Sequence, residues 1–345
     1  MDYLIVGGGV IGLSSAFELA RHGASVTILE RGVCGGESSW AGGGILSPLL
    51  PWDYSSAVTD LTALSCRLFP EWVERVAEIG GFDPEYRLSG LRVMPPFDAE
   101  RAEEWCAGHG VRLERDGKTL WLPDVAQVRN PRLTKSLRLA LERMGVRIVE
   151  RARVTGIVST ENRVERLDTS EGSFAAEHYV VAAGAWSKKL LGNQGLQLDI
   201  KPVRGQMLLY RAQPGMLRHI ILQNGAYLIP RDDGHILAGS TLEDVGFDKA
   251  TTEEARVALH ARALGMLPQL AEAEFIQHWA GLRPGSPGNI PTIARHPQFE
   301  NLYINSGHFR YGVTMAPASA QILANRLFNR EQPFDVSGYD WPGLN

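Results

Sequence analysis

The sequence predicts an α/β fold with two domains, one of Rossmann type built on a parallel sheet and one of α+β type built on an antiparallel sheet. Three observations lead there. The short apolar run Asp2–Val6 stops at Gly7-Gly-Gly-Val-Ile-Gly12 and leads into helix-forming residues, the signature of a βαβ start. The chain of 345 residues exceeds the roughly 250–300 at which a single core stops growing. Three strand candidates then follow one another at Lys201–Tyr210, Gly225–Pro230 and His235–Ser240, as in an antiparallel sheet.

The first thirty residues are the most specific. Gly7, Gly9 and Gly12 fall in the G-x-G-x-x-G spacing of a Rossmann-type turn. Gly7 permits the tight turn, Gly9 lets backbone approach a pyrophosphate, and Gly12 lets helix and strand pack closely, while the helix N-terminus offers free N–H groups. The helix continues from Leu13 to Arg21, Gly23 follows it as a C-cap, and Ser25–Leu29 forms the second strand. Glu30, at the end of that strand, is placed to accept a hydrogen bond from a ribose hydroxyl. The pattern by itself does not separate FAD from NAD. Next comes Gly35-Gly-Glu-Ser-Ser-Trp-Ala-Gly-Gly-Gly44, where Ser38 and Ser39 offer hydroxyls to a ligand. The same composition also suits a flexible surface loop.

Further along, Leu61, Leu64, Leu68, Trp72 and Val76 recur at helical spacing within a helix over Ser55–Ile79 and read as core. Tyr86–Met94 reads as one strand, Ala99–Gly108 as a short helix, and Asn130-Pro131 opens a helix through Met144. Val146–Glu150 and the alternating segments up to Leu167 read as strands. The apolar strand before Ala182-Ala-Gly-Ala-Trp-Ser187 can rejoin the first sheet and bring Gly184 beside the cofactor. Thr251-Thr-Glu-Glu254 reads as a capping box for a helix to about Met266. Ala316–Phe328 reads as the last helix, with Pro317 in its first turn. Its N-terminus either faces an anionic part of the cofactor or the helix only packs on the sheet.

Composition excludes several classes. Hydrophobic residues make up 44% and charged residues 21%, and a net charge of −4 without a Lys/Arg cluster offers no footprint for nucleic acid or an anionic membrane. No apolar run approaches the ~18 residues of a membrane span. Cys34, Cys66 and Cys106 are too scattered for a disulfide framework or a C-x-x-C metal site, and the 9 histidines form no H-x-x-x-H pair with a carboxylate, so no metal is expected. The strand at residue 2 and the few cysteines predict a cytoplasmic chain without a removable leader.

Two C-terminal stretches, Trp279-Ala-Gly-Leu-Arg-Pro-Gly285 and Asn305-Ser-Gly-His-Phe-Arg-Tyr-Gly-Val313, each set an arginine among glycines and aromatics. Arg283 and Arg310 suit bidentate recognition of a carboxylate. Read alone, each fits a surface charge or a structural ion pair equally well.

Together, Gly7-x-Gly9-x-x-Gly12, Ala182-Ala-Gly-Ala-Trp-Ser187, Pro202-Val-Arg-Gly-Gln206, Tyr227-Leu-Ile-Pro-Arg231, Trp279-Ala-Gly-Leu-Arg-Pro284 and Gly307-His-Phe-Arg-Tyr-Gly312 resemble, in order and over almost the whole chain, the D-amino-acid oxidase family of flavoproteins. The best match is its glycine-oxidising branch. The resemblance implies a Rossmann-type FAD-binding domain from residues 1–50, 131–195 and 286–345, and a second α+β substrate domain on an antiparallel sheet from residues 51–130 and 196–285. It gives Arg283 to the substrate carboxylate, with Tyr227 and Arg310 as further active-site residues. Besides Gly7, Gly9, Gly12, Glu30, Ser38, Ser39, Gly184, Arg283 and Arg310, it gives the cofactor Val10, Arg31, Gly43, Gly44, Val154 and Trp186, together with His308, Phe309, Tyr311, Gly312, Val313 and Thr314. The sequence departs from the branch at Ile45, Leu242, Gly225-Ala226 and Gly288-Asn289, positions that bear on the substrate pocket.

The implied activity is FAD-dependent oxidation of glycine, sarcosine or small D-amino acids. Hydride transfer from Cα to flavin N5 gives an imine, which hydrolyses to a 2-oxo acid and ammonia or serves thiazole formation in thiamine biosynthesis. Oxygen takes the electrons and gives hydrogen peroxide. With no cysteine in the C-terminal half, FAD is expected to be noncovalent, and the resemblance implies a homo-oligomer. Two alternatives are a dehydrogenase passing electrons to a quinone or protein acceptor, and a non-catalytic flavin-binding module.

Overall fold

The apolar run Asp2–Val6 lies in the interior of a six-stranded sheet, because its side chains are buried from Tyr3 to Val6 and both edges find partners. In the computed structural model, which describes residues 1–343, the strand order is Thr292–Arg295, Leu302–Ser306, His178–Val181, Asp2–Val6, Ser25–Leu29 and Arg147–Val149. All pairs are parallel except the first, where Thr292–Arg295 runs antiparallel to Leu302–Ser306. The strand at His178 thus rejoins the sheet beside the first strand, as its apolar character predicts. Leu344 and Asn345, the last two residues of the segment 286–345, lie outside the described residues.

A second, eight-stranded sheet has the order Glu274–Gly285, Lys201–Arg211, His235–Gly239, Ala226–Pro230, Ile220–Gln223, Leu91–Val93, Thr119–Leu122 and Glu114–Asp116. It is antiparallel save for one parallel pair, Ile220–Gln223 with Leu91–Val93. The helix Ser56–Gly80 carries the predicted leucine stripe: Leu61, Leu64, Trp72 and Val76 are buried, packing with Phe17 and Leu133 in one core. Among the described residues, no helix is long and apolar enough to cross a membrane.

Four local readings need correction. Tyr86–Met94 is not one strand: Arg87–Leu88 pairs with Ala126–Gln127, and Leu91–Val93 belongs to the large sheet. Gly90 breaks the run at φ +67°, with its Cα against the Trp121 ring, where a side chain has no room. The glycine-rich stretch is not all loop, since Ser38–Ala41 forms one helical turn. The capping residue is Thr252, not Thr251: its hydroxyl accepts from the Ala255 N–H, and the helix begins at Glu253. The last helix begins at Gly312, so Pro317 lies inside it; nearby, the Ala318 N–H donates to Ser65 Oγ at 3.3 Å.

Candidate cofactor and substrate site

A continuous cleft runs from the glycine turn to the large sheet and is lined by every sequence-predicted site residue except Gly12. Gly12 acts from behind: a methyl carbon there would stand 1.9 Å from the Gly7 carbonyl oxygen, so only glycine lets the helix sit this close to the turn. Gly7, at φ +115°, packs against Ala182 in the same way. The Glu30 carboxylate is buried and accepts from the N–H groups of Gly8 at 2.7 Å and Gly32 at 2.8 Å. Each oxygen keeps further acceptor capacity toward the cleft. At the start of the helix Val10–Arg21, the Val10 N–H donates to Ser39 Oγ at 2.9 Å, which leaves that hydroxyl a proton to give.

Beyond Glu30, the Arg31 guanidinium stacks on the Trp186 ring, 3.5 Å from its centroid. Arg31 also donates to Glu37 at 2.6 Å, and Lys249 reaches the same carboxylate at 3.2 Å. With Val154 and Gly184, the residues Arg31, Glu37 and Trp186 close one end of the cleft.

The middle wall is the loop Gly42–Gly44. Arg231, from the large sheet, holds it by donating to the Gly43 carbonyl at 2.8 Å, the Val128 carbonyl at 3.0 Å and Gln127 Oε1 at 2.5 Å. Burial pushes this guanidinium down to about 10. The turn Ser38–Ala41 meets the strand Glu274–Gly285: Ser38 donates to the Leu282 carbonyl at 2.5 Å, the Trp279 indole donates to the Ala41 carbonyl at 3.1 Å, and Gly281 faces Ala41. The strand carrying Arg283 is therefore fixed directly to the turn carrying Ser38 and Ser39.

At the far end, Arg283 projects from that strand beneath Gly205 and donates to Ser240 Oγ at 2.7 Å and the Thr241 carbonyl at 3.1 Å. Burial, with Arg310 opposing it, lowers this guanidinium from its ordinary value, while Tyr227 nearby supports the charge. Tyr227 pairs with Gly239 across the sheet, and its ring lies over that glycine. Arg310 and Tyr311 face the same space, with the Tyr311 hydroxyl bonded to Tyr54 Oη. Two guanidiniums and a phenol around one small volume select a compact anion such as a carboxylate.

The helix Gly312–Leu327 directs its N-terminal residues Gly312, Val313 and Thr314 into the cleft, and Thr314 Oγ1 donates to the Ile45 carbonyl at 3.0 Å. Phe309, at φ +45°, donates its N–H to the Pro284 carbonyl at 3.0 Å, tying the two arginine motifs together. His308 is buried with Nε2 2.8 Å from Ser319 Oγ, and burial pushes its imidazole down to about 3. None of the three cysteines lines the cleft.

Sequence reasoning missed several lining residues, among them Asn130, Ser240 and Asn305. Asn130 showed only as a helix start and Ser240 as a strand end; neither has a motif of its own. Of the departing positions, Ile45 lines the cleft, whereas Leu242 is 58% exposed and lies off its wall. Gly225-Ala226 and Gly288-Asn289 lie off the wall too. The long cleft, with a glycine turn at one end, fits an extended dinucleotide such as FAD. Asn305, whose Nδ2 donates to Ser15 Oγ at 3.1 Å, stands in the same wall with its Oδ1 buried and unpaired.

The sequence matches the family described as FAD dependent oxidoreductase over residues 2–326. It is 43% identical to the glycine oxidase of Pseudomonas aeruginosa, with 97% of both chains covered. It is 32% identical to the bifunctional protein ThiO/ThiG of a Synechocystis species, over 96% of this chain and 52% of that protein. The crystal structure of glycine oxidase from Geobacillus kaustophilus superposes with a TM-score of 0.91 at 29% identity, covering 100% of this chain and 99% of that one.

Proposed function

The chain belongs to the family of FAD dependent oxidoreductases, and from that membership we propose that it oxidises glycine and other small amino acids or amines with noncovalent FAD. It is an FAD-dependent amino-acid oxidase. One observation carries the substrate reading: Arg283, fixed by Ser240 and Thr241 and joined by Tyr227 and Arg310, presents a charged donor to a small space at the end of the cofactor cleft.

FAD, when bound, supplies the acceptor for the hydride that leaves the substrate Cα. The protein's own part is positioning. Arg283 holds the carboxylate, Tyr227 and Arg310 close on it, and the buried site keeps the amine oriented and away from bulk water. Gly7, Gly9 and Ser39 would hold the pyrophosphate, with the Val10 N–H fixing Ser39 and the Ser38 hydroxyl fixing the wall at the Leu282 carbonyl; Glu30, Arg31, Val154, Gly184 and Trp186 would hold the adenosine end, and Gly43, Gly44 and His308 to Thr314 the flavin end. Gly12 sets the turn for them. The helix N-terminus at Gly312 favours negative charge on the flavin side.

Residues 1–50, 131–195 and 286–345 form the FAD-binding part and 51–130 and 196–285 the substrate part. Every strand of the six-stranded sheet falls in the first set and every strand of the eight-stranded sheet in the second, which supports this division. The helix Ser56–Gly80, though in the second set, packs against Asn130–Arg143 and Gly312–Leu327 of the first. Oxygen is the electron acceptor, the imine from glycine serves thiazole formation for thiamine biosynthesis, and the chain acts in the cytoplasm.

Hydrogen peroxide assayed in air with glycine, sarcosine and D-alanine tests the activity. Peroxide formed with glycine or sarcosine is expected. Flavin bleached by these substrates without peroxide would move the electron acceptor from oxygen to a quinone or protein.

A further inference from the structure

We propose that Glu243 is a positioning residue for Arg283: its carboxylate clamps the turn Ser240–Glu243 and so keeps in place the two oxygens of that turn that hold the Arg283 guanidinium. The inference deepens the proposed function and rests on Arg283 binding the substrate carboxylate. The two groups that brace Arg283 are neutral, the Ser240 hydroxyl at 2.7 Å and the Thr241 carbonyl at 3.1 Å. They leave the positive charge to the substrate, and they make the direction of the guanidinium depend on where that turn stands.

The turn leaves the strand His235–Gly239, which lies across Lys201–Arg211 from the strand that carries Arg283. It is held to that middle strand. The Gln206 N–H donates to Thr241 Oγ1 at 2.8 Å, and Arg204 and Glu243 exchange backbone hydrogen bonds at 2.9 and 3.0 Å. The Glu243 carboxylate then collects four side-chain donors: one oxygen accepts from Thr241 Oγ1 and from Gln206 Nε2 at 2.9 Å, the other from Arg204 Nη2 at 2.5 Å and Nε at 3.1 Å. Arg204 is 4% exposed and is fixed in turn by Asp248 at 2.7 Å and the Ala250 carbonyl at 2.8 Å. Burial opposes the charge on Glu243, but the donors from Thr241, Arg204 and Gln206 hold its carboxyl below the ordinary value. Donors aimed at both oxygens suit a carboxylate, which accepts at both. Glu243 therefore grips Thr241 by its hydroxyl while the Thr241 carbonyl serves Arg283. The same loop runs on to Phe247, whose ring centroid is 5.6 Å from that of Trp186, and to Lys249, paired with Glu37. A clamp that only docked this loop would act on the adenosine end of the cleft instead.

Glu243→Gln keeps the size of the side chain and sets an amide N–H group against donors at one of the two oxygen positions. Flavin reduction by glycine is followed anaerobically in the holoenzyme for wild type, Glu243→Gln, Arg283→Ala and the double variant. Glu243→Gln lowers the apparent second-order reduction about tenfold when Arg283 is present and less than about twofold when it is Ala, because Thr241 then has no guanidinium to place. Acetate, a carboxylate without an amine, is titrated by its effect on flavin absorbance, and its dissociation constant rises about tenfold in Glu243→Gln. FAD retention on gel filtration stays at the wild-type level. Wild-type reduction and acetate affinity in Glu243→Gln overturn the proposal. An equal loss with and without Arg283 overturns it as well, and so does release of FAD, since the clamp would then serve the cofactor end.

Should Glu243→Gln fail to fold, Thr241→Val removes the hydroxyl that Glu243 grips and keeps the carbonyl that Arg283 uses; it weakens acetate and spares FAD, and wild-type acetate affinity in that variant rejects the idea. Failure of glycine and sarcosine to reduce the wild-type protein would reject the substrate reading instead, a separate outcome.

Discussion

The Arg283 guanidinium lies against Gly205, where a single methyl carbon would stand 2.0 Å from Nη1 and 2.4 Å from Cζ. The two residues are diagonal neighbours across one strand pair, because Val203 opposes Arg283 and Gly205 opposes Gly281. Gly205→Ala therefore displaces the guanidinium without touching the cofactor turn. Steady-state kinetics should show KM for glycine raised about tenfold, with the yellow flavin spectrum kept. A wild-type KM would contradict this placement of Arg283.

Gly12 governs the opposite end of the cleft. With the Gly7 carbonyl oxygen 1.9 Å from a built Cβ, Gly12→Ala must push helix and turn apart. A stability loss of about 1–3 kcal/mol and weaker FAD retention are expected, measured by urea unfolding and by flavin released on gel filtration.

Arg231 joins the two halves of the cleft wall. Arg231→Met leaves the Gly43 and Val128 carbonyls without their donor. The cost should be about 1–3 kcal/mol in urea unfolding, and hydrogen exchange should speed up in the segment around Gly42–Gly44. Exchange unchanged there would mean that other contacts fix the loop.

The buried His308 imidazole makes stability depend on pH. It falls from an ordinary 6.5 to about 3 in the folded protein, so between those values the unfolded chain binds a proton that the folded chain refuses. This group's stabilising share is complete above the unfolded value and is lost as pH falls toward the folded one, by up to about 1.4 kcal/mol per pH unit. Unfolding free energies measured across the acid range should show that slope in wild type and a shallower one in His308→Asn.

The first strand, glycine turn and second strand were legible because each is a local pattern: a short apolar run, a fixed glycine spacing, then a carboxylate. The strand that carries Arg283 was not, although it is the 12-residue strand Glu274–Gly285. Its Trp-Ala-Gly-Leu-Arg-Pro core holds glycine and proline in place of alternating β-formers, and it is straightened by pairing with Lys201–Arg211. The last helix was read as starting late because Pro317 looks like a first-turn residue, whereas the first turn is formed by Gly312, Val313 and Thr314. Asn130 was legible as a helix start and not as part of the cleft wall, since its amide meets Gly42 and Gly44 only after the chain has folded. Arg283 and Arg310 were distinguishable from surface charges only by resemblance, and in the structure both line the cleft.

The most direct test of the account is anaerobic stopped-flow absorbance of the flavin, with wild type and Arg283→Ala mixed with increasing glycine. Wild type should bleach with a saturating dependence, and the variant should keep its bound flavin while losing about 1.5–3 kcal/mol, roughly ten- to a hundredfold, in apparent second-order reduction. No bleaching of wild type by glycine or sarcosine, or the same glycine dependence in both proteins, would contradict it.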